Sequence, residues 1–471
     1  MSAPPPIELA PLGNVRSRCE AKHAEEYVKA WTQQLLEHKQ ALKDAGVDNT
    51  TTLCDRITLA GRVYPGESAA AIAKFLSEPF DGGLPIAYGV VEAGLDDIIP
   101  SLSTEEGINT LKTICDAFKE SKCLKEVNLS DNAIGEQAIG ACRTVLNKKT
   151  LEKLSMCNCG LAFMTMVTVA DILLEDTDGT GCVAANLTSM VFSRNMSGDE
   201  GGRQVGRILE KTKRLRHLRF AGTRVSSDGS ELLASAFESS IAQGNNLEIE
   251  HLDLVDNCTF SSKSSHDSLF RAIGALNKLT YLNLGSSDLG DEGVKKICHA
   301  LFENDSSLAY LNLSYNDIEK KGAKHVADYL KDCGGKLKTL VLDGNMFDSR
   351  GAVTIAKAFH SNEDPHSIEE LSMNECVIGA IGARALIDAY GPEGKDLPNL
   401  KTISLNENSF TEEIVGELEV AFGGKLLPMP DNDEDGDADD DLSDDDFDGD
   451  DEEETSGSVD DLTAAMNKVV V

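Results

Sequence analysis

The apolar positions of this chain follow two periods in alternation. Between Leu124 and Leu146 (LKEVNLSDNAIGEQAIGACRTVL) the first half sets Leu124, Val127, Leu129, Asn132 and Ile134 in the pattern L-x-x-V-x-L-x-x-N-x-I. From Gly135 onward, Ala138, Ile139, Cys142, Val145 and Leu146 are spaced as on one face of a helix. Leu124, Val127 and Leu129 cannot share one side of a simple two-faced strand. They can converge on one core if a short strand turns a corner. Strand, corner and helix then form a unit whose apolar side needs a neighbour.

The neighbours are present. The pattern restarts at Leu124, Leu151, Leu187, Leu215, Ile249, Leu279, Leu308, Leu337, Ile368 and Leu400, at intervals of 27 to 36 residues. Two degenerate units precede them: Cys54–Tyr64 with a helix over Ser68–Leu76, and Tyr88–Leu95 with a helix over Glu105–Phe118. Units of this length, each with a full helix, read as leucine-rich repeats of the long kind. The predicted fold is an α/β solenoid, a crescent with parallel inner strands and outer helices, of ten clear repeats and two degenerate N-terminal ones. Extra length falls in insertions at Glu175–Asn186 and Phe260–Ser268. The implied domains are a disordered start over 1–17, a helical cap over 18–52, the repeats over 53–427, an acidic disordered tail over 428–458 and a short amphipathic segment over 459–471. In the cap, an amphipathic helix from Arg18 to Ala45 is expected to bury Tyr27, Trp31, Leu35 and Leu42. Terminal repeats expose an open core and need such a cover.

Two columns of residues recur at the end of each predicted strand. One holds Asn132, Asn195, Asn257, Asn316, Asn345 and Asn408, with Cys159, Thr223, Ser287 and Cys376 in the remaining units. A small hydrogen-bonding side chain there satisfies backbone groups left unpaired at the corner. The residue just before it points outward at the rim: Asp131, Asn158, Arg194, Gly222, Asp256, Ser286, Tyr315, Gly344, Glu375 and Glu407. A core requires none of these identities. At one strand spacing of roughly 5 Å per unit they form a continuous polar strip suited to binding a protein.

Charge narrows the class of partner. The formal net charge is −36. Of 80 acidic residues, 17 lie between Asp431 and Glu454, a run without Lys or Arg, so the remainder still sets 63 acids against 44 bases. Such a surface repels nucleic acid and anionic membranes and steers basic proteins. The run over Asp431, Asp433, Asp435 and Gly436 imitates an EF-hand loop, but its twelfth position is Leu442 rather than Glu, so no calcium site is expected. The 12 cysteines include no C-x-x-C pair, which fits a reducing compartment and disfavours zinc. The start, MSAPPPIE, lacks the basic and apolar regions of a secretory signal, and no apolar run is long enough to span a bilayer. No P-loop, G-x-S-x-G, H-E-x-x-H or dinucleotide fingerprint is present. Cys157 and Cys159 flank Asn158 but have no nearby His that would make a thiol catalyst. The residues alone therefore describe a soluble, intracellular, acidic, protein-binding solenoid, with no constellation that supports an enzyme.

The ordered string Leu129-Ser-Asp-Asn-Ala-Ile-Gly, Leu154-Ser-Met-Cys-Asn-Cys-Gly-Leu, Asn195-Met-Ser-Gly-Asp-Glu-Gly and Thr223-Arg-Val-Ser-Ser-Asp-Gly, followed by the acidic tail, resembles the Ran GTPase-activating proteins over about residues 55 to 455. The Asn195 and Thr223 motifs resemble the plant-type members most, though the Trp-Pro-Pro motif of those proteins is missing. The resemblance implies an activator that is not itself an enzyme, binds Ran in its GTP form and orders Ran's own catalytic glutamine. GTP and Mg would be held by Ran, and the activator would need no cofactor. It implies a catalytic role for Asn158, partner contacts from Asp131, Asn132, Arg194, Asp256, Ser286 and Tyr315, a Ran-binding protein as a further partner, and a cytoplasmic or perinuclear monomer. The family's arginine, about thirty residues before the L-S-D-N asparagine, is replaced by Leu102 and Ser103, or by Asp97 if strands are aligned. Arg62 is a doubtful substitute from an earlier unit. The alternative reading is a non-catalytic acidic scaffold, inhibitor-like or histone-chaperone-like.

Overall fold

A computed structural model of the chain describes residues 5, 7–11, 17–47, 53–243, 248–257, 263–303, 307–333, 336–360, 366–391, 395–433 and 439. Thirteen strands form one sheet in which spatial order follows chain order. Ile7–Leu9 comes first, then Cys54–Thr58 and Glu92–Gly94 from the degenerate units, then ten three-residue strands from Glu126–Asn128 to Thr402–Ser404. All pairings are parallel, and the central residues stand in register: Val127, Leu154, Met190, Leu218, Leu252, Leu282, Leu311, Leu340, Leu371 and Ile403. Because side chains alternate along a strand, this central column enters the core, where every member is buried. The residues on either side of it face the opposite, open face of the sheet. Consecutive helices pack against one another on the covered face, and the consensus leucines fill the space between.

The corner asparagines hold the units together, as their spacing predicts. Asn195 donates through Nδ2 to Met156 O (2.9 Å) in the preceding unit and to Phe192 O (3.0 Å) in its own. Its Oδ1 accepts from the amides of Cys159 (3.0 Å) and Leu161 (3.2 Å). Asn132, Asn257, Asn316, Asn345 and Asn408 repeat the scheme. Where cysteine replaces asparagine, the thiol keeps only the donor half: Cys159 reaches Leu129 O (3.2 Å) and Cys376 reaches Leu342 O (3.3 Å).

The cap helix runs over Ala21–Asp44, with a reciprocal Glu20–His23 capping box at its start and Gly46 in left-handed backbone just beyond its end. Tyr27, Trp31, Leu35 and Leu42 are buried as expected. Trp31 stacks between Tyr27 and Phe75, and its indole N–H donates to Ala10 O (2.8 Å).

Three stretches differ from the sequence expectations. Disorder over 1–17 does not hold for Ile7–Leu9, which pairs with Cys54–Thr58, nor for Ser17, which pairs with Arg62 in a small separate sheet. The first of these covers the edge that the sheet would otherwise expose. Residues 428–433, expected to open the disordered tail, run along the last unit. Leu427 N bonds Ile403 O (2.9 Å), and Asn432 exchanges bonds with Phe410 (2.7 and 3.1 Å) much as a corner asparagine would. The helix from Gly135 is broken, with a 3₁₀ turn over Ile139–Cys142 between two short helical pieces. That unit precedes the tightest interval, 27 residues, and carries Gly140 in its middle, a poor helix former. Asp439 of the acidic run accepts from the Ile381 amide (2.7 Å), and the rest of that run and the Val459–Val469 segment lie outside the described residues.

Candidate protein-binding rim

The rim column has a single backbone geometry. Asp97, Asp131, Asn158, Arg194, Gly222, Asp256, Ser286, Tyr315, Gly344, Glu375 and Glu407 all have φ between 50° and 64°. From Asp97 to Glu375 each amide donates to a carbonyl of the following unit at 2.7–3.0 Å. That bond forces the chain into the left-handed region, which costs an L-residue roughly 1–2 kcal/mol. Glycine would avoid the cost, yet only Gly222 and Gly344 do. The other nine units carry a side chain where the scaffold would be easier to build without one.

Three of these side chains meet. Asn158 Nδ2 donates to Asp131 Oδ1 (2.8 Å), and Arg194 Nη2 lies 3.8 Å from the same oxygen. The group spans three consecutive units; Asn158 and Arg194 are exposed, and Asp131 is half-buried. Farther along, the exposed Tyr315 ring lies over Gly344, where a Cβ would collide with it, and its hydroxyl donates to Glu375 Oε2 (3.0 Å). A groove opens there between Tyr315, Glu375 and Glu407 on one side and Leu427 and Pro428 on the other. Asp256 and Ser286 stand exposed between the two clusters.

The open face of the sheet divides in the same way. Its N-terminal half pairs its own charges: Arg56 with Glu92 (2.6 Å), Lys153 with Glu126 (2.8 Å) and Arg219 with Asp253 (3.1 Å). Burial raises the Asp253 carboxyl above the ordinary carboxylate range, with Arg219 opposing the shift. At the middle, the first positions of four adjacent strands stack as rings: His217, His251, Tyr281 and Tyr310, with successive centroids 4.1, 3.8 and 4.1 Å apart. Burial, aided by His217 and Arg219, pushes the His251 imidazole down to about 4. Beyond Tyr281 the five strand ends, YLNLGS, YLNLSY, TLVLDG, ELSMNE and TISLNE, contain four carboxylates and no Lys, Arg or His.

A family model described as Leucine Rich repeat matches residues 120–137, 275–298 and 304–327. The strand register and the asparagine ladder extend the same unit along the whole sheet. The fold is a leucine-rich repeat solenoid. Curated proteins of this kind resemble it at low identity. A mouse NACHT, LRR and PYD domains-containing protein 5 is 24% identical over 43% of this chain and 18% of its own length. The pig ribonuclease inhibitor is 24% identical over 41% of this chain and 46% of its own. The chain thus spans less than half the length of these relatives. A crystal structure of a Bacteroides fragilis protein aligns with a TM-score of 0.35 at 14% identity, covering 62% of this chain and 77% of that one.

Of the residues singled out from the repeats, Asp131, Asn158 and Arg194 come together, while Asp256, Ser286 and Tyr315 lie on the same rim farther along. Two do not belong to it. Asn132 is fully buried: its Nδ2 serves Leu95 O, Leu129 O and Ser130 O, and its Oδ1 the amides of Ile98 and Ile99. It is a corner residue with no surface to offer a partner. Arg62 is buried near the cap, where Nη1 donates to Ser17 Oγ (2.5 Å) and the guanidinium sits 5.6 Å from the centre of the Tyr27 ring. It joins the N-terminal strand pair to the cap helix and has no place on the rim. The column instead assigns Asp97 to the unit before Asp131. The ring stack was readable in the chain as an aromatic at the first strand position in four successive units, a column separate from the rim.

Proposed function

We propose that the chain activates GTP hydrolysis by the small GTPase Ran, with the Asp131–Asn158–Arg194 cluster as the catalytic contact. The observation that carries this reading is the exposed Asn158 amide, held by Asp131 at the position where the resemblance to the Ran GTPase-activating proteins expects an asparagine. An amide both donates and accepts, so it can brace the GTPase's glutamine without bringing in a charge. Ordering that glutamine and excluding water lowers the barrier, although the activator supplies no nucleophile. Arg194 is the one arginine of the rim column, and it stands beside Asn158 on the side away from the loop where the family carries its own. The acidic rim favours encounter with basic surface on the GTPase. GTP and Mg would stay with Ran, a Ran-binding protein could join the complex, and the site of action would be cytoplasmic or perinuclear.

Phosphate release from GTP-loaded Ran, with the protein at catalytic concentration, tests this directly. Acceleration supports the reading and its absence removes it. Similarity to ribonuclease inhibitor favours a second reading: a non-catalytic scaffold that binds a protein along the same strip. That reading would be left by tight binding without accelerated hydrolysis.

A further inference from the structure

The C-terminal half of the open face combines three features. Tyr281 and Tyr310 stack nearly parallel (8°) as the end of the ring column, and Tyr315 extends the aromatic surface to the rim. The groove beside Tyr315 is walled by carboxylates of two adjacent units, Glu375 and Glu407, and by Leu427 and Pro428. Neither these two carboxylates nor Glu370 has a basic side chain within ion-pair distance among the described residues. Their contacts are the Tyr315 hydroxyl, the Asn406 amide and the Thr339 hydroxyl. The nearby Lys338 and Lys401 are both bound to Glu369, on the flank.

We infer that this half of the face docks an extended, arginine- or lysine-rich segment of a partner protein. Carboxylates one strand apart match a guanidinium, which pairs with such oxygens in a planar fork. The exposed Tyr315 ring attracts the same cation, and the edge of the Tyr281–Tyr310 stack covers its aliphatic stem. A second copy of the chain does not fit, since both copies carry a net charge of −36 and would repel. The start of the chain's own acidic run already borders the groove, where Asp431 bonds the Asn406 side chain (3.0 and 3.3 Å), and it adds a carboxylate rather than a counter-charge. The two readings share Tyr315, an expected contact of the GTPase, and are told apart by Asn158, which lies on the other half and takes no part in this surface.

The probe is a short fluorescein-labelled peptide alternating arginine and glycine, titrated into the full chain and followed by anisotropy. The wild type should bind, more weakly as salt rises. The Tyr310→Ala/Tyr315→Ala variant, which keeps every carboxylate, should lose roughly tenfold in affinity, as should Glu375→Gln/Glu407→Gln. Tyr315→Leu alters one exposed side chain without opening the stack, so its smaller loss, read beside an unchanged unfolding midpoint, guards against misfolding. The inference is overturned if the tyrosine variants bind as tightly as the wild type, which would assign the peptide to general acidity or the tail. Absence of binding at low salt overturns it equally.

Discussion

The two halves of the open face share one scaffold and differ in what they do with charge. In the N-terminal half three acid–base pairs bridge neighbouring strands, Arg56 with Glu92, Glu126 with Lys153 and Arg219 with Asp253, and Asp96 beside Asp97 and Asp131 takes the Asn128 amide instead. In the C-terminal half the carboxylates stand beside tyrosines and polar amides instead. A surface that pairs part of its charge keeps less long-range pull and can take specificity from placed hydrogen bonds such as Asn158 to Asp131. A surface left acidic attracts basic partners from a distance but positions them less sharply. One solenoid thus carries two kinds of recognition, because only its inward residues are committed to the fold.

The largest effects should come from the scaffold and should ignore the division between halves. Asn132→Ala and Asn345→Ala each strand several buried amides and carbonyls, so each should cost about 3 kcal/mol, read as a lowered urea midpoint. A much smaller cost in one half would show that the ladder is not uniform. Arg62→Ala should cost about 1–3 kcal/mol of stability through the cap, read in the same way. In the hydrolysis assay it should leave stimulation by the folded protein intact. Asn158→Ala should do the reverse, changing stability by less than about 0.5 kcal/mol.

A smaller effect is expected at the seam between the halves. The His251 pKa lies below its unfolded value of 6.5, at about 4. The unfolded chain therefore binds the proton first as the pH drops, and stability is lost between pH 6.5 and about 4. His251→Phe keeps the ring stack and removes the titration, so its stability should fall less over that window. A variant as acid-sensitive as the wild type would place the loss elsewhere. The smallest effect is on association rate: Asp131→Asn keeps the hydrogen bond to Asn158 and should slow binding only at low salt.

Much of this structure was legible in the chain. Leucines at fixed intervals announce the strands, and a lone tryptophan on an amphipathic helix announces the cap. The rim strip followed from counting one residue back from each corner. What escaped has physical reasons. Ile7–Leu9 is a three-residue strand with no repeat to identify it, and only the exposed edge of Cys54–Thr58 gives it a place. Asn432 works as a last corner residue from inside an acidic run whose composition reads as disorder. Arg62 looks like any surface arginine until the N-terminal strands close over it. The strain at the rim has no local signature, since Asp131, Arg194 and Tyr315 reach left-handed backbone only because the next unit draws their amides into place.

The division between the halves is tested most directly by single-turnover hydrolysis of GTP-loaded Ran, with wild type, Asn158→Ala and Glu370→Gln run side by side. The expected result is strong stimulation by the wild type, a fall of at least roughly tenfold for Asn158→Ala and near-wild-type stimulation for Glu370→Gln. No stimulation by the wild type, or equal losses in the two variants, would contradict the assignment of catalysis to the Asp131–Asn158–Arg194 rim.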